Sequence, residues 1–221
     1  MARKLALFDL DNTLLAGDSD HAWGEFLIAK RLVDESSHRL TNDRFYQQYR
    51  DGVLDIHGYV NFTLQPILGL DAAQREALHR EFMAQAVTRL FLAKADALVA
   101  EHRNAGDLTI IITATNEFIT RPIADRFQVD HLIATDLEMK AGYFTGKIRG
   151  TPCYQSGKVD KLKQWLMTGA PDLRIEDAVF YSDSINDLPL LERVGTPMVV
   201  DPDDRLRATA TTRGWEIISL R

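Results

Sequence analysis

The chain has 221 residues, enough for one large domain or for a core carrying an insert. An apolar content of 45% excludes a disordered chain, and a net charge of −6 with a pI near 5.5 excludes the basic footprint of a nucleic-acid binder. The single Cys153 rules out an internal disulfide and fits a reducing, cytoplasmic setting, no leader-like apolar segment opens the chain, and no apolar run nears the ~20 residues of a membrane span.

The first apolar run, Leu5-Ala6-Leu7-Phe8, leads straight into Asp9-Leu10-Asp11-Asn12-Thr13. A run this short and this apolar predicts a strand over 4–10 that is buried on both faces of a parallel sheet. Such a strand delivers its carboxyl end to the crevice where open α/β sheets bind ligands. Two carboxylates there repel each other unless a cation or a shared proton holds them. The plainer alternative is an Asx-turn or a helix cap after the strand.

Residues 17–89 contain no strand pattern. Trp23, Phe26, Leu27 and Ile28 recur at helical spacing, as do Phe45, Tyr49 and Val53, and then Leu78, Phe82 and Met83, with Gly52, Gly58, Pro66 and Gly69 as breaks. This predicts a helical cap between core segments 1–16 and 90–221, placed to cover the carboxyl edge and exclude water. Beyond it, strands predicted at 108–113, 131–134, 178–182, 197–200 and 215–219 alternate with helices at 93–104, 117–127, 158–168, 187–193 and 203–212. That order implies an α/β fold with a parallel sheet covered on both faces. Right-handed crossovers then bring the strand ends bearing Asp9, Thr113 and Asp183 to one edge. Residues 136–148 alternate around Ala141-Gly142 and read as a β-hairpin.

Four motifs stand in order along the chain: Asp9-x-Asp11-x-Thr13, the strand-end Thr113, Lys158 after Ser156-Gly157, and Asp183-Ser184-Ile185-Asn186-Asp187. Jointly they resemble the haloacid dehalogenase superfamily of phosphohydrolases, and the cap position and hairpin resemble its phosphoserine-phosphatase-like branch. The resemblance implies a Rossmann-like core and Mg²⁺-dependent hydrolysis of a small phosphorylated metabolite, with no nucleic-acid or membrane partner. Asp9 would be the nucleophile, forming an aspartyl-phosphate. Asp11 would move the proton, which requires an environment that raises its pKa. Mg²⁺ would take oxygen ligands from Asp9, Asp183 and the backbone carbonyl of Asp11. Thr113, Lys158 and Asn186 would bind phosphate, and Asp187 would orient Lys158 or a metal-bound water. A phosphotransferase or mutase, or a non-catalytic phosphate-binding module, remains compatible with the same motifs.

Substrate choice should lie in the cap. Phosphoserine phosphatases place an acidic residue at the Asp18 position against the substrate amine. Asp18 and Asp20 therefore point to a cationic substrate, or else they cap a helix at His21. Arg50 is the candidate for a substrate carboxylate, or else a solvated surface charge. Thr113-Ala114-Thr115-Asn116 stands where phosphoserine phosphatases carry Ser-Gly-Gly. This departure resembles relatives that act on other small amine-bearing phosphates, histidinol-phosphate phosphatases included.

Overall fold

A computed structural model describes residues 4–221, so the first three positions of the expected core segment lie outside it. The run Leu5–Phe8 forms β1, and all four side chains are buried, as an apolar strand covered on both faces must be. Its partners are β2 (Leu108–Asn116), β3 (His131–Thr135), β6 (Val179–Ser182), β7 (Thr196–Val200) and β8 (Glu216–Ile218). The sheet order is β3-β2-β1-β6-β7-β8, and every pairing is parallel. The chain winds outward from β1 on one side and then restarts at β6 on the other. The crevice at that reversal faces the carboxyl edge, where Asp9 and Asp183 follow their strands. Helices α5 (Ala93–Asn104), α6 (Glu117–Phe127), α7 (Ser156–Gly169), α8 (Leu188–Leu191) and α9 (Asp204–Arg213) complete the crossovers. The α/β architecture and its parallel sheet agree with the expectation from the sequence.

Two strands, β1 and β2, differ most in length from their expected ranges. β1 stops at Phe8, because Leu10 onward turns back on itself through the Leu14 and Leu15 amides bonded to the Leu10 carbonyl. β2 runs three residues further, to Asn116, with its register against β3 shifting between Ile112 and Asn116. An irregularity of this kind re-aims backbone and side chains beside a site, and here it falls on Thr113-Ala114-Thr115.

Between β1 and β2 the chain builds α1 (Ser19–Ala29), α2 (Glu35–Asp51), α3 (Ile56–Leu64) and α4 (Ala72–Phe82), the last continuing through a π-helical turn at Met83–Val87. Each helix starts on an aspartate whose carboxylate accepts a backbone N–H of the first turn: Asp18, Asp34, Asp55 and Asp71. The insert leaves and rejoins the core side by side, where Leu15 and Phe91 form an antiparallel bridge. Its apolar residues are not a separate core. Trp23, Phe26, Leu64 and Phe82 belong to the same buried cluster as Phe8 and Ile111 of the sheet. The hairpin of β4 (Leu137–Lys140) and β5 (Tyr143–Ile148) turns at Ala141 and Gly142, both with positive φ. Among the described residues no helix is long and apolar enough to cross a membrane.

Candidate active site

Asp9 sits one residue past β1 and is buried, with its N–H bonded to the Tyr181 carbonyl of β6. One carboxylate oxygen accepts from Lys158 Nζ at 2.8 Å and the other from the Thr13 hydroxyl at 3.1 Å. The same hydroxyl lies 3.0 Å from Asp183 Oδ1 and accepts the Asp183 N–H at 3.1 Å. Thr13 thus ties the two strand-end carboxylates together. Its place in the first motif was visible in the sequence, but its bridging position follows only from the turn after β1.

Lys158 reaches this cluster because α7 begins very close to the preceding loop. A Cβ on Gly157 would stand 2.1 Å from the Pro152 carbonyl, so only glycine permits that approach. The ammonium, 2% exposed, also pairs with Asp187 at 2.6 Å, and Ser182 donates to Asp187 at 2.7 Å. Burial pulls Lys158 toward neutrality, but Asp187 and Asp9 outweigh it and hold its pKa above the ordinary value. Burial pushes Asp187 up to about 6 against the pull of Lys158. Burial also raises Asp9, opposed by Lys158, and it raises Asp183 well above the carboxylate range, with Asp9 adding repulsion.

One ammonium therefore faces three carboxylates, which leaves this end of the site short of positive charge. Among the described residues no group of three His, Cys, Asp or Glu side chains is placed to hold a metal ion. The donor set that fits is smaller: two carboxylates, Asp9 and Asp183, joined by Thr13. Hard oxygen donors with most positions left to water or phosphate match Mg²⁺, which dehydrates reluctantly.

Asp11 points the other way. It accepts the Ser19 N–H at 2.6 Å and the Thr115 hydroxyl at 2.8 Å. Burial, with Asp18 adding repulsion, raises its pKa to about 7, although both hydrogen bonds oppose the shift. The environment that the sequence could only demand is present. Thr115 was missed in the sequence, because only the irregular stretch of β2 turns it toward Asp11. Thr113 is buried, and its oxygen accepts the Thr115 N–H at 3.2 Å.

A small pocket joins these groups to the insert. Its floor is Asp9, Asp11, Asn12 and Thr113 to Thr115; its walls are Asp18 and Asp20 of the α1 start, Phe45, Tyr46 and Tyr49 of α2, Leu54 of the following loop, and Ile56 and Tyr59 of α3. The hollow is partly open and leaves about 40 Å³ for the centres of water-sized molecules. The two acids of α1 do different things. Asp18 caps the helix through the His21 N–H at 2.8 Å. Asp20 is 7% exposed, and its Oδ1 has no hydrogen-bond partner. Burial, with repulsion from Asp18 and Asp11, raises Asp20 well above the carboxylate range.

Two expected site residues stand elsewhere. Arg50 does not line this pocket; it is exposed on a neighbouring cleft with Asp51, Asp183 and Arg205. One position past Tyr49, a helix has turned by about 100°, which carries Arg50 to the outer face. Asn186 is buried beside the site, but its amide donates to the Tyr49 carbonyl of α2 at 2.8 Å. The expected phosphate donor is directed at the insert.

The chain matches a family model described as haloacid dehalogenase-like hydrolase over residues 6–192. It is 41% identical to a protein named histidinol-phosphatase from Neisseria meningitidis serogroup C, over 99% of this chain and 100% of that one. It is 30% identical to a phosphoserine phosphatase of Mycobacterium tuberculosis, over 98% of this chain and 70% of that one. A crystal structure from Bordetella pertussis Tohama I, titled as a protein with unknown function, superposes with a TM-score of 0.91 at 42% identity, covering 100% of both chains. A substrate-bound phosphoserine phosphatase superposes with a TM-score of 0.70 at 16% identity, covering 99% of this chain and 93% of that one. At that identity the match speaks for the fold alone.

Proposed function

Since the chain belongs to the haloacid dehalogenase-like hydrolases, we propose that it is a Mg²⁺-dependent phosphomonoesterase acting on a small amine-bearing phosphate without a carboxylate, of which histidinol phosphate is the type. The lining of the pocket carries this reading. Four carboxylates (Asp9, Asp11, Asp18 and Asp20) and four aromatic rings (Phe45, Tyr46, Tyr49 and Tyr59) face it, with no Lys, Arg or His among its described lining residues. A cationic, flat head group is satisfied there: carboxylates meet the charge and aromatic faces the ring. A substrate carboxylate such as that of phosphoserine would be buried among like charges. The name of the 41% identical relative agrees with this choice.

In the proposed reaction Asp9 attacks phosphorus, forming an Asp9–phosphate bond as the bond to the leaving alkoxide breaks. Asp11, protonated near neutrality by its raised pKa, gives its proton to that alkoxide oxygen. Asp11 then takes a proton from the water that attacks phosphorus, and the Asp9–phosphate bond breaks to release inorganic phosphate. Lys158 holds Asp9 in place and offsets charge as the phosphoryl group arrives. The Thr113 hydroxyl, whose oxygen accepts the Thr115 N–H, would donate to a phosphate oxygen. A Mg²⁺ held by Asp9, Asp183 and the Asp11 carbonyl would draw the phosphate dianion toward a carboxylate nucleophile that otherwise repels it.

The test is phosphate release from histidinol phosphate, phosphoserine and a neutral aryl phosphate, with and without Mg²⁺. We expect activity that chelator abolishes, and kcat/KM for histidinol phosphate roughly 10²-fold above phosphoserine, the scale at which a buried group without a partner discriminates. Preference for phosphoserine would refute the substrate class, and full turnover in excess chelator would refute the metal.

A further inference from the structure

The partly open hollow leaves about 40 Å³ for the centres of water-sized molecules, room for a few waters at roughly 10–15 Å³ each. In this conformation its walls crowd a phosphate ester, and the movable wall is the one to identify. The sheet floor is fixed. The α1 wall is anchored by Trp23 against Phe118 of the core helix α6, ring centroids 5.5 Å apart. The α3 wall buries Val60 and Leu64 and meets the hairpin through Asn61 and the Gly146 carbonyl. The α2 wall is different. Of its 17 residues only His38, Asn42 and Phe45 are buried.

At the carboxyl end of α2, three core side chains from three separate elements reach backbone carbonyls. Asn186 Nδ2, after β6, donates to the Tyr49 carbonyl at 2.8 Å. Gln155 Nε2, before α7, donates to the Gly52 carbonyl at 3.1 Å. Arg205 Nη1, on α9, lies 3.5 and 3.4 Å from the Arg50 and Asp51 carbonyls. These carbonyls are the groups a helix leaves short of partners, at the negative end of its dipole. Gly52 sits at the convergence with φ of 76°, and a Cβ there would meet Asn186, Arg205 and Gln155 at 3.4, 3.7 and 3.8 Å.

Gln155 carries a second mark. Its φ of 49° and ψ of −121° are a conformation that L side chains rarely adopt. It stands three residues before Lys158, and its amide also bonds Asn186 Oδ1 and the Tyr154 hydroxyl, each at 3.2 Å. Strain is tolerated where the surroundings over-determine the residue, and here the two amide hydrogens have three acceptors within 3.2 Å.

We propose that Gln155, Asn186 and Arg205 are positioning residues that form a catch on the end of α2. Engaged, the catch seats Phe45, Tyr46 and Tyr49 over the pocket. Released, it lets α2 swing while α1 stays packed, which admits substrate. The link to substrate entry rests on the phosphatase reading; the catch itself does not.

The experiment is hydrogen exchange on the full chain, comparing Gln155→Ala, Arg205→Ala and Arg205→Lys with wild type. Each alanine should speed exchange of the amides of residues 45–53 roughly two- to tenfold, the scale of one lost hydrogen bond. Exchange in α1, α4 and the sheet should not change, and Arg205→Lys should lie near wild type. KM for the phosphate ester should rise by a similar factor with kcat held. Unaltered exchange of 45–53 in both alanine variants would overturn the catch, as would faster exchange spread over the whole chain. Local exchange as expected with KM unchanged would keep the catch and overturn its role in substrate entry.

Discussion

The helices α1 and α2 lie side by side in the insert, yet they meet the core by different means. α1 is joined by apolar area: Trp23, 1% exposed, sits edge-on to Phe82 of α4 and Phe118 of α6, and Phe26 packs beside it. α2 is joined at one end by hydrogen bonds to its terminal carbonyls. Burying a large aromatic is worth several kcal/mol, whereas a single net hydrogen bond is worth about 0.5–1.5 kcal/mol. The first kind of joint survives thermal motion; the second opens often. Chemistry follows the division. Asp11 is held by the Ser19 N–H of α1, so the proposed acid–base group rides on the fixed half. Three of the four pocket aromatics, Phe45, Tyr46 and Tyr49, ride on α2, the half proposed to move.

The comparison can be broken most forcefully at Asp11. Asp11→Asn should lower turnover by about 10²–10⁴, the usual range for a lost acid–base group, while the melting temperature holds or rises because a buried carboxyl is gone. A loss of folding instead would mean that Asp11 serves the α1 joint and not the chemistry. Trp23→Ala should cost about 3–5 kcal/mol of stability in a denaturant titration, from lost burial and the cavity left behind. A cost below 1 kcal/mol would erase the distinction between the two joints.

The two acids at the start of α1 sharpen the contrast on a finer scale. Asp20→Asn should lower kcat/KM for an amine-bearing phosphate by about 10–150-fold, equivalent to about 1.5–3 kcal/mol for a charged hydrogen bond, with a neutral aryl phosphate unaffected. Equal losses on both substrates would assign Asp20 to structure. Asp18→Ala should cost only the helix cap, about 1 kcal/mol of stability, and alter both substrates alike.

The smallest expected effect is on the pH dependence of metal-free stability. Asp11 and Asp187 are raised by burial to about 7 and about 6. A carboxyl raised in the folded state binds its proton more tightly there than in the unfolded chain. Its contribution is full below an unfolded value near 4 and is lost as pH rises through 6 to 7. The melting temperature of the metal-free protein should therefore increase as pH falls from 8 to 5. Mg²⁺ at pH 8 should recover part of that loss through Asp9 and Asp183 and none of it through Asp20. A melting temperature that falls steadily over this range would contradict the raised values.

Reading the chain alone, one could place Asp9, Thr113 and Asp183 at one edge, because a strand that alternates with helices has only one carboxyl end and right-handed crossovers align those ends; Asp11, Lys158 and Asp187 were joined to them by the family resemblance. The fold brings Asp9, Lys158, Asp183 and Asp187 within hydrogen-bonding reach of one another or of a shared hydroxyl. The helical nature of the insert and the hairpin at 136–148 were legible for the same local reason: periodicity and turn residues are properties of a few neighbours. What a side chain faces across the pocket is not. Arg50 and Tyr49 are adjacent in sequence, but helical phase sends one outward and the other over the site. Asp18 and Asp20 look equivalent on paper, and only the start of α1 makes one a cap and leaves one oxygen of the other without a partner. Asn186 belongs to its motif in every sequence respect, yet its amide is taken by a carbonyl 137 positions away. Which acids and hydroxyls stand at the strand ends was readable from the chain, since that depends on local pattern and chain direction. Tertiary structure alone decided which groups wall the pocket and how the insert is fastened, since those depend on how helices of known period come to rest against a distant surface.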